Sequence, residues 1–148
     1  MAKTQLGHNT GLEILANIMR HCDAKTNRHI LGGLQKDLPQ IVSELRRHIL
    51  LFDDLAYADG RGLQRLLKII RIRDLAISLQ GAPAVVLKNI AANMSQRALN
   101  DLKDEITRLG KAREQEVDAA RDRIMAVVAE LIKGKELFIN RPSDDLVY

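Results

Sequence analysis

The 148 residues carry 23 Lys plus Arg against 19 Asp plus Glu, with 46% hydrophobic and 28% charged residues, an ordinary globular balance sufficient for one core or two small ones. Two Phe, two Tyr and no Trp exclude the aromatic platforms on which single-strand nucleic-acid binders stack bases, and the lone Cys22 excludes an internal disulfide framework or a cysteine-rich zinc site. The net charge of +4 permits an anionic partner, but both signs are interspersed, the apolar runs are too short for membrane insertion, and the first ten residues do not make a signal peptide.

Apolar residues recur at three and four rather than at two, which predicts an all-α chain, with β-like alternation only near Leu137–Asn140. Residues 1–9 are expected to be flexible. Thr10 and Glu13 form a capping box opening a first helix to about His21, with Leu15, Ile18, Met19 and Cys22 on one face. Asp23 caps a second helix that turns Ile30, Leu31 and Leu34 inward and frays at Gly32-Gly33. Asp37 caps a third, with Pro39 in its first turn and Ile41, Val42, Leu45 and Ile49 as its apolar stripe.

A second lobe starts around Asp53, where Asp53-Asp54 reads as a cap of the next short helix. Helices are expected at about 60–70, burying Leu63, Leu66, Leu67 and Ile70, then at 74–80, and again from Pro83. Ser95 caps the penultimate helix and Gly110 ends it. The last helix, about 113–133, carries Val117, Ala120, Ile124, Val127 and Leu131, and Gly134 closes it. Residues 135–148 are a tail, expected to lack structure unless they dock on a helix.

No catalytic, cofactor-binding or metal-binding set emerges. Cys22 reads as a small buried hydrophobe, and Gly60-Arg61-Gly62 lacks the strand and third glycine of a phosphate-binding turn. Arg61, Arg65 and Lys68, extended by Arg71 and Arg73, read as a solvated face before a nucleic-acid surface. The penultimate helix is the informative one. At about 100° per residue, Arg97, Asp101, Asp104 and Arg108 share a stripe with Glu105 at its edge, opposite Leu99, Leu102, Ile106 and Leu109. Taken alone, that stripe is a solvent face laced with i, i+4 pairs such as Arg97 with Asp101.

The block Asn93-Met94-Ser95-Gln96-Arg97-Ala98, followed by Leu102–Ile106, resembles the C-terminal domain of the FliG family of flagellar rotor switch proteins. Leu50–Leu55, Asp59, Arg61 and Gln64, Leu75-Ala76, Leu79–Ala82 and Val117-Asp118 follow the family's order, and residues 18–47 resemble its last armadillo-like motif. The acidic ending Asp144–Tyr148 is similar too. The resemblance implies a three-helix armadillo-like lobe over 10–52 and a roughly six-helix, right-handed superhelical torque lobe over 53–134. It implies that Arg97, Asp101, Asp104, Glu105, Arg108 and Arg113 face the cytoplasmic loop of the stator protein MotA, and that Ile49, Leu50, Leu51 and Phe52 form a hinge. Leu15, Ile18 and Met19 are then the surface for neighbouring FliG-type subunits, with FliM a further partner.

Two positions depart from the family. Gln80 stands where a lysine is common and Lys111 where a proline is, so one cation is missing. The family's domains for FliF and the main FliM contact do not precede Gly11, so the chain is expected to be a fragment or a short relative. The resemblance implies a non-enzymatic rotor component, without cofactor or small-molecule substrate, at the cytoplasmic side of the flagellar basal body. The competing readings are a helical interaction scaffold without torque and, third, a basic helical nucleic-acid binder.

Overall fold

The computed structural model describes residues 2–142, and the Asp144–Tyr148 ending lies outside the described residues. It is all-α: eight α-helices and one 3-10 helix, with an isolated antiparallel bridge between Ala58 and Ile139 the sole β pairing among the described residues. The chain divides into two compact units, 1–51 and 52–148.

The first unit contains α1 (Ala2–Arg20), α2 (Ala24–Asp37) and α3 (Pro39–His48). Helix α1 begins well before Thr10, so Thr10 and Glu13 do not open it and residues 2–9 are helical backbone; each residue added to a helix already nucleated closes one more hydrogen bond. Leu12, Ala16 and Met19 of α1 meet Leu31, Val42, Leu45 and Ile49 in the core. Ile18, expected on that face, is 54% exposed, beside Ile14 at 57%. Met19 is fully buried, which removes it from any surface offered to a neighbour. The end of α1 is stitched by Asn27, whose Nδ2 donates to Met19 O at 2.8 Å, and Arg20 donates to His48 O at the end of α3.

Asp23 caps α2 as expected, accepting from Thr26 N at 2.8 Å, and the Thr26 side chain and N–H hold its carboxyl below the ordinary value. Gly32 and Gly33 do not fray this helix, because α2 runs on to Asp37. Asp37 is therefore the last residue of α2 and not the cap of α3; Leu38 occupies the junction and Pro39 starts α3, where its missing N–H costs no helical bond. A Cβ added at Gly32 or Gly33 meets nothing within 4 Å. Gly32→Ala and Gly33→Ala should each stabilise the first unit by roughly 0.4–1 kcal/mol, read as a higher denaturation midpoint.

The second unit starts with the 3-10 helix Phe52–Tyr57 and continues as α4 (Gly60–Ile69), α5 (Ile72–Ser78), α6 (Ala84–Ala92), α7 (Gln96–Leu109) and α8 (Glu114–Lys133). Helix α5, buried over Leu75–Ser78, is the centrepiece, with α7 and α8 packed on it. Asp59 caps α4, and Ser95 caps α7 by accepting from Ala98 N at 3.1 Å. Gly110 leaves α7 at φ +65°, a conformation costly for a residue with a Cβ.

The tail holds structure by docking, the condition under which the sequence allows it. Residues 135–141 dock as a strap against the start of α4: Asn140 N donates to Tyr57 O, Asp59 N to Phe138 O, and Phe138 N to the Asp59 carboxylate. Leu137 is fully buried there. Asp53 and Asp54 stand within the first turn of the 3-10 helix rather than ahead of it, and Asp54 forms a two-point ion pair with Arg141 of the strap at 2.9 and 3.0 Å, with both side chains largely buried. The alternation noticed at Leu137–Asn140 thus becomes a bridge with one face buried.

Candidate functional site

Helix α7 is amphipathic because its apolar residues recur at three and four, and packing on α5 settles which side faces in. Leu102 is buried and Leu99 and Leu109 are half-buried, while Ile106 is 38% exposed and sits at the edge of the contact. The opposite side presents Arg97, Asp101, Asp104 and Arg108 to solvent, as the spacing predicts.

Those charges are not equivalent. Glu105 is half-buried and bound by the Arg108 guanidinium one turn on, and that hydrogen bond, more than the bare charge, raises the Arg108 pKa. Arg97 and Asp101 do not form the i, i+4 pair that their spacing allows; among the described residues, Arg97, Asp101 and Asp104 make no ion pair. Asp101 borders a cleft of about 570 Å³ lined by Leu67, Ile70, Leu75 and Met94. Arg113 lies off α7, exposed at the N-cap of α8. The stripe therefore combines open charges of both signs with one internally neutralised pair, an arrangement suited to weak, sign-dependent contacts rather than to bond making.

The residues 49–52 are shared between the units. Ile49 is buried in the first and Leu51 packs against that same core, whereas Phe52 is buried in the second. Leu50 between them is half-buried. In the basic run, Arg65 binds Glu136 of the strap at 2.7 Å, which turns one of its cations to structural use.

Gln80 has a task that its spacing in the sequence does not announce. Just beyond α5, its Nε2 donates to Gly110 O and its Oε1 accepts from Ala112 N, both at 2.8 Å. It ties the α7–α8 loop in place. Arg123 likewise grips Asp74 across α8 and α5 at 2.8 Å, and this hydrogen bond raises the Arg123 pKa. No helix among the described residues is long and apolar enough to cross a membrane, and no cluster among them could hold a metal ion.

A family model described as the FliG C-terminal domain matches residues 32–139. The chain is 34% identical over 131 residues to the flagellar motor switch protein FliG of Thermotoga maritima, covering 88% of this chain and 39% of that protein. It is 30% identical over 142 residues to the FliG of Bacillus subtilis, covering 96% of this chain and 41% of that one. It thus spans about two fifths of the length of these relatives. A crystal structure of FliG from H. pylori superposes with a TM-score of 0.65 at 21% identity, over 85% of this chain and 59% of that one, a likeness of fold.

Proposed function

The chain belongs to the FliG C-terminal domain family, and from that premise we propose that it serves as a rotor component of the bacterial flagellar motor. In this reading α7 presents its charges to the cytoplasmic loop of the stator protein MotA, at the cytoplasmic side of the basal body, with no chemical step of its own. The observation that carries the reading is the solvated, mixed-sign stripe of α7, in which Arg97 and Asp104 are exposed and spend no charge on each other or on the fold.

A rotor contact has to be made and released at every passing stator. Unit charges about 4 Å apart gain on the order of 1–4 kcal/mol between bulk water and a protein surface, enough for register and too little to arrest rotation. Opposite signs along one helix fix the register of the meeting surface. Direction would reverse if the second unit swung about Ile49–Phe52 and turned α7, as a rigid-body switch does. The test is a strain lacking the gene, scored separately for filaments and for rotation. Filaments that do not turn support the reading; normal swimming contradicts it.

Neighbouring FliG-type subunits are the second class of partner, and FliM a third. Ile14 and Ile18, one turn apart and both more than half exposed, are the apolar pair most in need of cover among the described residues of the first unit. Leu15 is half-buried at their side, whereas Met19 belongs to the core. The chain should self-associate at high micromolar concentration and Ile18→Asp should shift it toward monomer, measured by sedimentation; a chain monomeric throughout would remove this surface.

A further inference from the structure

Gln80 and Arg121 join three places that the sequence keeps apart. Arg121, on α8, donates from Nε to Ser78 O at 2.8 Å and from Nη2 to Gln80 O at 2.9 Å, meeting carbonyls at the open end of α5. The same guanidinium lies 4.7 Å from the centroid of the Phe52 ring, within range of a cation–π attraction. Gln80 then passes its own position to the loop closing α7 through the bonds to Gly110 and Ala112. The connection therefore runs from Phe52 through Arg121 and Gln80 to the C-terminal end of the charged helix.

We propose that Gln80 and Arg121 are positioning residues that make the orientation of the α7 C-terminal end follow Phe52, the hinge residue seated in the second unit. The proposal rests on the reading of α7 as the stator-facing helix. Each link is stiff for a physical reason: the guanidinium is planar with donors in a fixed fork, the Phe ring fixes the plane it lies over, and the carboxamide grips the loop by donor and acceptor together. A lysine at 80 would supply donors and no acceptor, so it could not accept from Ala112 N. Gln80 thus exchanges a charge for a tether.

The decisive measurement is amide hydrogen exchange at Ala112 in the full chain, far in sequence from Phe52. Gln80→Ala should speed it roughly three- to tenfold, the scale of one lost hydrogen bond. Phe52→Leu, which removes the ring under Arg121 and neither partner of that bond, should speed it by a similar factor, and Phe52→Tyr should restore it by returning an aromatic face. The double variant Phe52→Leu with Gln80→Ala should be no faster than Gln80→Ala alone. Amides of Leu63 and Ile124 in α4 and α8 should keep their protection. No change at Ala112 in Phe52→Leu, or an equal rise at all three amides, overturns the tether. The exchange experiment contains no stator, so the two readings fail separately. Lost coupling in a chain whose Asp104→Lys variant stops rotation sinks the tether alone; intact coupling beside normal rotation of that variant sinks the stator-facing reading alone.

Discussion

Leu137→Ala should lower the stability of the second unit by about 2–5 kcal/mol, the range for truncating a fully buried leucine. Leu137 is completely enclosed although it lies beyond the last helix, and a Cβ placed on Gly62 would fall 2.7 Å from its Cγ and 2.8 Å from its Cα. The strap and the first turn of α4 therefore fit against each other at a distance only glycine permits. Gly62→Ala should cost roughly 1–3 kcal/mol as an overpacking change, because strap backbone, not merely the far end of a flexible side chain, has to move. Phe138→Ala is the internal control. Phe138 is 51% exposed on the same strap, and its truncation should stay within about 0.5 kcal/mol. Unfolding followed at amides of α4 and α8 separates this unit from the first; Leu137→Ala as mild as Phe138→Ala would mean the strap does not hold.

The largest functional effect is expected from Asp104→Lys. Asp104 is exposed and in no ion pair among the described residues, so the substitution removes no contact of the fold and should leave stability within about 0.5 kcal/mol. Rotation in a cell that depends on this chain should fall sharply at high load, where each stator contact carries most. Glu105→Lys is the less clean partner, since it also breaks the pair with Arg108 and places two cations one turn apart. It should therefore lose a little stability together with rotation. A tethered-cell assay beside a denaturation curve separates the two effects, and unfolding of Asp104→Lys would return the stripe to structure.

What the sequence made legible is what depends on period. The split of α7 into charged and apolar sides follows from its spacing, and Ser95, Asp59 and Gly110 bound their helices by local chemistry that needs no tertiary information. What it hid depends on partners distant in the chain. Gln80 and Gly110 are 30 residues apart, and Asp54 and Arg141 are 87; no local pattern distinguishes a tether or a buried ion pair from ordinary surface side chains. Gly32-Gly33 misled for another reason: glycine weakens a helix by about 1 kcal/mol per residue, and packing of Leu31 and Leu34 on α3 outweighs that in the folded unit. The strap had a visible signal in the alternation at 137–140, but one short segment cannot reveal which surface will receive it. The six charged candidates look alike in the sequence and differ in the structure, which separates open Arg97 and Asp104 from paired Glu105 and Arg108 and puts Arg113 on the following element.

The central claim is that α7 acts by the sign of its charges, and charge exchange tests it most directly. Asp104→Lys is combined with reversal, one at a time, of the basic residues on the stator loop, and the rotation speed of single motors is recorded. The account predicts that at least one such reversal, itself impairing rotation with the native chain, restores a substantial part of the speed lost in Asp104→Lys, because exchanging both signs recreates the attraction. Normal rotation of Asp104→Lys by itself, or failure of every loop reversal to restore any speed while the variant remains folded, would contradict it.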